Sequence, residues 1–293
     1  MEIILGKTAG FCYGVKRAVD GAKEELKKGT YYCLGEIVHN KNVIKKLEQK
    51  GIKFVEKLED ATEGIIIRAH GVPKKAYEKA KRLNLNVKDL TCPSVLKIHE
   101  MAEKYSNENY FIILVGAETH PEIIGTSGFC GSELFVLNDI CDILPCIEKI
   151  KLSNLKNVLV IAQTTYNSGK FDEIVTSLKE NLKGMNLEIK KTICTATELR
   201  QKETAEIAKK VDIMIIIGDK KSSNTNKLCD ISKEYCENVF LVQNKDELKK
   251  LNFSEENKVG IMAGASTPEE DIEEVIQNLK DMCNKKIKKG GIC

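Results

Sequence analysis

Three segments of the chain are copies of one pattern, and that repetition limits its fold more than any other feature. The first copy places Cys12 in GFCYGVKRAVD, Gly35 in LGEIVHN and Ala69 in IIIRAHGV. The second has Cys92 in LTCPSVLKIHE, Gly116 in ILVGAETHPE and Ala162 in VLVIAQTTY, and the third has Cys194 in TICTATELR, Gly218 in MIIIGDKKSSN and Ala263 in GIMAGAST. Cysteine to glycine spans 23, 24 and 24 residues, and glycine to alanine 34, 46 and 45. Unlike motifs at near-constant spacing point to a tandem fold unit, with three cysteines and six polar loops at equivalent positions around a pseudo-threefold axis. They would then meet at the centre.

The rest of the composition limits what such a meeting can mean. The 293 residues, 30% charged with a net charge of +3 and no Trp, have the balance of a globular intracellular protein. That charge is too mild to argue for nucleic acid. No apolar run approaches membrane-spanning length and the leading MEIIL reads as a strand, so the expectations are no membrane and a cytoplasmic location. The 11 cysteines are an odd number at irregular spacing with no CxxC pair, which fits neither a disulfide framework nor a zinc ribbon. Cys33, Cys130, Cys141, Cys146, Cys229, Cys236, Cys283 and Cys293 have no counterpart in the repeat and read as free thiols used as small hydrophobes or left at the surface.

After Cys12, the residues Val15, Ala18, Val19, Ala22 and Leu26 recur at helical spacing and Gly29 closes the stripe. After Cys92, Pro93 suits a first helical position and makes Cys92 the N-cap, with Val95, Ile98, Ala102 and Tyr105 as the buried stripe. The runs YYCLG, YFIILVG and DIMIIIG, and then GIIIRA, NVLVIA and KVGIMA, read as strands that lead through the motif loops into helices. Strand, loop and helix in alternation predict a parallel α/β fold, whose ligands bind beyond the carboxyl ends of the strands.

A helix N-terminus favours a thiolate, the form that binds metal. Three such thiolates suit an iron-sulfur cube with one open iron better than zinc, against the plain alternative that the cysteines pack behind turns. His39, His70 and His120 lie in motif loops, and Glu122 beside His120 is a candidate for proton supply. His99, on the second cysteine helix, reads as a structural residue at the flank of the stripe. Thr164, Thr165, Ser222, Ser223, Asn224 and Ser266 are singly ordinary helix caps, but together form a neutral donor set suited to a phosphate or diphosphate. Neither a Walker loop nor a GxGxxG turn after a first strand is present, so no nucleotide cofactor is indicated.

In these residues the chain resembles the 4-hydroxy-3-methylbut-2-enyl diphosphate reductases, the LytB/IspH family of the non-mevalonate (MEP) isoprenoid pathway. The resemblance runs in order through AGFCYGVKRAV, GEIVHN, AHGV, TCPSV, THPEIIGTSG, QTT, ICTAT, SSNTNKL and AGAST. It implies three similar α/β units with parallel sheets in a pseudo-threefold trefoil around a central cluster. Their expected bounds are 13–93, 94–192 and 193–284, with strand 1–12 joining the third and 285–293 a flexible tail. It also implies one [4Fe-4S] cluster held by Cys12, Cys92 and Cys194 with one open iron. Substrate contacts would come from His39, His70, His120, Thr164, Ser222, Ser223, Asn224 and Ser266, with Glu122 as proton donor through Thr164. The implied reaction is reductive removal of the substrate's allylic hydroxyl, with electrons from an external one-electron donor, a ferredoxin or flavodoxin. The chain departs from the family pattern after HPEIIGTSG, where FCGSE follows and a glutamine is the more frequent continuation.

Overall fold

The computed structural model describes residues 1–29, 32–249, 251–254 and 256–289, the side chains of 283–289 excepted. The chain opens with β1 (Glu2–Leu5), and the loop carrying Cys12 leads into α1 (Tyr13–Lys27). Ala18, Val19 and Ala22 of the expected stripe are buried, and Gly29 follows at φ 95°, a left-handed conformation in which glycine ends helices without steric cost. Then come β2 (Tyr32–Leu34), α2 (Lys41–Gln49), β3 (Lys53–Val55), β4 (Gly64–Ile67), α3 (Lys74–Arg82) and β5 (Asn86–Asp89), after which Cys92 opens α4 (Pro93–Asn107).

The second copy repeats this order with β6 (Phe111–Val115), α5 (Pro121–Ser127), β7 (Leu134–Leu137), α6 (Ile143–Ser153), β8 (Asn157–Ala162), α7 (Ser168–Asn181) and β9 (Asn186–Ile189), and Cys194 then opens α8 (Thr195–Ala208). The third has β10 (Ile213–Ile217), α9 (Ser223–Lys233), β11 (Asn238–Val242), α10 (Lys245–Leu248), β12 (Lys258–Ala263) and α11 (Glu269–Lys289).

Among the described residues the strands form three four-stranded sheets, ordered β3-β2-β4-β5, β7-β6-β8-β9 and β11-β10-β12-β1, and every pairing is parallel. This is the expected α/β class. β1 fills the edge that β5 and β9 fill elsewhere, so each cysteine follows the closing edge strand of a sheet. The central strands are covered on both faces, as parallel sheets require, and all five residues of FIILV in β6 are fully buried. Each such side chain contributes about 1.5–3 kcal/mol when taken from water.

Sheet order also positions the loops. The central pair β2 and β4 run on to opposite edges, and so do β6 with β8, which opens a crevice at their carboxyl ends. The pairings Leu34 with Ile67, Val115 with Ala162 and Ile217 with Ala263 level the motif loops at that edge. They also correct the repeat alignment. The structural counterpart of Ala162 and Ala263 is Ile67, and Ala69 corresponds to Thr164 and Ala265. At Gly116 a Cβ would lie 2.4 Å from Ile123 Cδ1 and 2.9 Å from Gln163, so the chain can pass beneath α5 there only as glycine.

The chain divides into two compact units, one of Met1–Tyr13, His39–Val43 and Thr195–Cys293, the other of Gly14–Val38 and Ile44–Cys194. The expected tail 285–293 overlaps α11 as far as Lys289 and otherwise lies outside the described residues. No helix among the described residues is long and apolar enough to cross a membrane.

Candidate functional site

The three repeat cysteines share a backbone tie that the corrected alignment makes equivalent. Cys92 N–H donates to Ala69 O at 2.9 Å, Cys194 N–H to Thr164 O at 3.1 Å and Cys12 N–H to Ala265 O at 3.2 Å. Each acceptor lies two residues beyond a central strand, so the sheet edge itself fixes the cysteine backbone. Cys92 is the N-cap of α4 with Pro93 at the first helical position, as the sequence predicts. A Cβ on Gly14 would come within 2.5 Å of Cys92 Sγ, so the start of α1 leaves room for that sulfur because it is glycine. All three cysteines are partly exposed and none of the described cysteines is in a disulfide.

The other described cysteines differ. Cys33, Cys146, Cys229 and Cys236 are buried, and burial pushes the thiols of Cys33, Cys146 and Cys229, and of the partly buried Cys130, up to about 12. Thiols held neutral in this way are poor metal ligands. The three partly exposed cysteines at helix starts are the ones whose setting fits a cluster. The side chains of Cys283 and Cys293 lie outside the described residues.

In the unit of residues 14–38 and 44–194, four of the expected site residues gather at one sheet edge. Thr164 N–H donates to Glu122 Oε1 at 2.6 Å and Thr164 Oγ1 to Glu122 Oε2 at 2.7 Å. Glu122 is 3% exposed, and burial raises its carboxyl to about 7 against the lowering effect of the two Thr164 bonds. It occupies the second position of α5, where the helix N-terminus tolerates a carboxylate when the proton leaves. His120 caps the same helix, its Nδ1 accepting from Glu122 N–H at 3.1 Å. That bond assigns the ring proton to Nε2 and makes this nitrogen a donor. The His70 ring meets His120 edge to face at 5.5 Å between centroids. His99 departs from its expected flank position. It is 2% exposed, stacks on Phe129 at 4.3 Å, and neither ring nitrogen has a hydrogen-bond partner; burial lowers it to about 4.

The unit of residues 1–13, 39–43 and 195–293 holds the hydroxyl and amide set. Ser222 caps α9, its Oγ accepting from Thr225 N–H at 3.3 Å. Asn224 is 4% exposed, yet neither atom of its amide has a hydrogen-bond partner within the protein. A buried amide without partners is costly, so a water or ligand that reaches it would gain bonds the protein does not supply. Ser223 begins α9 between these two residues. Ser266 Oγ donates to His39 O at 2.8 Å, which fixes the His39 loop and leaves the hydroxyl's lone pairs as acceptors. Asp219 was not among the expected site residues; it accepts from Lys41 N–H at 3.2 Å and Lys221 N–H at 2.9 Å and so holds the loops on both sides of His39 and Ser222. Its signal in the sequence was only an acid after a strand-ending glycine, which is common in turns.

The glycine loops are equivalent too. His39, His120 and Ser222 each stand four residues beyond Gly35, Gly116 and Gly218, and Glu122 and Asn224 occupy the second position of their helices. One geometry thus presents ring nitrogens, a protonatable carboxyl, hydroxyls and an amide, with three accessible thiols at matched positions.

Known proteins resemble the chain over nearly its whole length. The LytB protein family matches residues 3–280. The 4-hydroxy-3-methylbut-2-enyl diphosphate reductases of Caldanaerobacter subterraneus subsp. tengcongensis and Clostridioides difficile are each 40% identical to this chain over 96% of its length, covering 98% and 100% of those proteins. That of Aquifex aeolicus is 39% identical over 97% of both chains. The solved structure of (E)-4-hydroxy-3-methyl-but-2-enyl diphosphate reductase, described as the terminal enzyme of the non-mevalonate pathway, is 39% identical with a TM-score of 0.68, over 96% of this chain and 100% of that one. The Plasmodium falciparum reductase structure, at 32% identity, gives a TM-score of 0.85 over 95% of this chain and 88% of that one. Matched by the family over residues 3–280 and by relatives 39–40% identical across nearly their whole length, the chain belongs to the LytB family.

Proposed function

We propose that the chain reduces 4-hydroxy-3-methylbut-2-enyl diphosphate with two electrons and two protons, releasing water and giving isopentenyl and dimethylallyl diphosphate, the terminal step of the non-mevalonate pathway. The observation that carries the reading is the Glu122–Thr164 pair, a buried carboxyl raised to about 7 and bonded to a threonine on the loop that also anchors Cys194. Loss of an allylic hydroxyl as water needs a proton held near neutral pH in a place shielded from solvent. When Glu122 is protonated at Oε2, its O–H donates to Thr164 Oγ1 and turns the threonine hydrogen outward. Thr164 thereby relays the proton without Glu122 leaving its site.

Cys12, Cys92 and Cys194 are the residues we assign to hold a [4Fe-4S] cluster, whose chemistry is the supply of single electrons and of an iron able to take an oxygen ligand. The side chains do the rest. The diphosphate is assigned to His39, His70, His120, Ser222, Ser223, Asn224 and Ser266, donors that bind an anion without a fixed cationic side chain. The Nε2–H of His120 is a donor suited to a phosphate oxygen, and the unpartnered amide of Asn224 supplies a bond that such an oxygen completes. Holding the diphosphate orients the far end of a five-carbon substrate toward the proton donor. Electrons are assigned to an external one-electron carrier, a ferredoxin or flavodoxin.

The test is anaerobic turnover of 4-hydroxy-3-methylbut-2-enyl diphosphate by reconstituted protein, with a reduced viologen as electron source and detection of both products. Formation of both products with consumption of two electrons per substrate is the expected result. Protein that holds its cluster and forms neither product would overturn the assignment.

A further inference from the structure

Two arginines recur just after two of the repeat cysteines, and each reaches the carbonyls that precede another repeat cysteine. Arg17 lies five residues after Cys12 on α1, and its Nη1 donates to Thr91 O at 2.9 Å and Leu90 O at 3.4 Å, the two residues before Cys92. Arg200 lies six residues after Cys194 on α8, and it donates from Nε to Thr8 O and from Nη2 to Gly10 O, both at 2.8 Å, in the loop before Cys12. Arg200 is 3% exposed. One turn along α8, Glu203 takes the opposite polarity of the same loop. Its carboxylate accepts from Lys7 N–H at 2.7 Å, Thr8 N–H at 2.8 Å and Thr8 Oγ1 at 2.5 Å.

These bonds matter because they take up carbonyls: the neighbouring amides are already tied, with Leu90 N–H donating to Ile67 O, Thr91 N–H to Asp89 Oδ1 and Ala9 N–H to Gly6 O. Lys7–Gly10 lies beyond β1, so its backbone groups no longer have a ladder to join, and Gly10 sits at φ 98°, where only glycine is unstrained. Arg200 and Glu203 replace a strand neighbour with charged groups bound to two carbonyls and two amides. Charge-assisted bonds of this kind are short and directional, and a planar guanidinium fixes two acceptors at once. The Cys194 loop is held differently, by Thr192 Oγ1 donating to Ala162 O at 2.6 Å and accepting from Ala162 N–H at 2.7 Å.

We propose that Arg17 and Arg200 are positioning residues for Cys92 and Cys12, fixing the backbone that presents these two thiols so that cluster capture needs little reorganisation. This rests on the assignment of Cys12, Cys92 and Cys194 as cluster ligands. A preorganised site retains its ligand better than one that must be ordered on binding. Loss of a charge-assisted clamp bond should therefore speed cluster loss by about tenfold.

The experiment compares the reconstituted wild type with Arg17→Met, Arg17→Lys, Arg200→Met and, as an exposed control, Arg82→Met. Iron and sulfide per chain, the resonance spectrum of the reduced cluster and the rate of cluster bleaching by an iron chelator are measured, with far-UV circular dichroism and the unfolding midpoint of each cluster-free chain. Faster bleaching and an altered spectrum in the Met variants, partial rescue in Arg17→Lys and wild-type behaviour in Arg82→Met are the expected results. If Arg200→Met does not fold, the Arg17 pair carries the test, since Arg17 is only partly buried. Wild-type bleaching rates and spectra in the Arg17 variants, or a lowered midpoint with unchanged bleaching, would assign these arginines to the fold alone and overturn the proposal. A wild type that takes up no iron and sulfide would instead overturn the cluster assignment beneath it.

Discussion

Replacing Glu122 with glutamine separates what the carboxyl does for the reaction from what it costs the fold. The folded-state value of about 7 lies above the ordinary 4.5, with burial as the main cause. Between these two values the native chain holds the proton more tightly than the unfolded chain, so stability from this group is greatest at low pH and is lost as pH rises through about 7. A shift of this size corresponds to about 3 kcal/mol. Glutamine keeps the shape, accepts from Thr164 N–H through its oxygen and donates to Thr164 Oγ1 through its amide, and never ionises. Urea unfolding of identically prepared wild type and Glu122→Gln should give similar stabilities near about pH 4, and the variant should gain about 3 kcal/mol near about pH 8. The same variant should keep its cluster and lose roughly 100- to 10,000-fold in turnover, the usual contribution of a positioned acid. Parallel stability profiles at the two pH values would refute the burial argument, and near-normal turnover would refute the proton-supply argument.

Serine at Cys12, Cys92 or Cys194 should abolish retention of the cluster's iron and sulfide, whereas Cys33→Ser should retain both and lose about 1–3 kcal/mol of stability, because it buries a hydroxyl in a core position; metal analysis and urea unfolding distinguish the two. Asn224→Ala removes an amide that no protein group satisfies, so its unfolding midpoint should hold or rise while KM for the diphosphate substrate rises about tenfold, a split that a purely structural asparagine would not give. His99 is held neutral with a value of about 4 against an ordinary 6.5, so its contribution to stability falls as pH drops through that interval. His99→Leu should flatten the acid limb of the stability profile between those values, and an unchanged limb would remove His99 as its source.

The parts of the fold that the sequence displays are those buried on both faces. YFIILVG and DIMIIIG are continuous apolar runs because β6 and β10 are central strands, and no other element of that length suits them. The edge strands β3, β5 and β9 carry the patterns KFV, NVKD and NLEI, short and partly exposed, and their pairing comes from the neighbour they meet after a crossover instead of from their own residues. The helix at Cys92 was legible to the residue because proline fixes its first position. His99 was not, since a helical stripe cannot tell a flank from a face that a second loop covers, and here Phe129 closes over it.

The repeat itself shows why cysteine was easier to read than the rest of the site. Matching by letter paired Ala69 with Ala162 and Ala263, but strand register pairs it with Thr164 and Ala265. The register in turn makes His70, Thr165 and Ser266 equivalent, each one residue further along the chain. His39, His120 and Ser222 form a second equivalent set, and Glu122 and Asn224 share a helix position. None of these places keeps one residue type throughout, although His39 and His120 agree, while the cysteine is the same in each copy. A cluster presents like irons to like thiolates, so it calls for one residue type three times. A five-carbon diphosphate ester has a charged end and a reacting end, and a scaffold repeated three times can serve it only by placing donors of different kinds at equivalent positions. Repetition therefore exposes the residues proposed as metal ligands, and those proposed for the substrate become visible only when the backbone register shows which side chains occupy the same place.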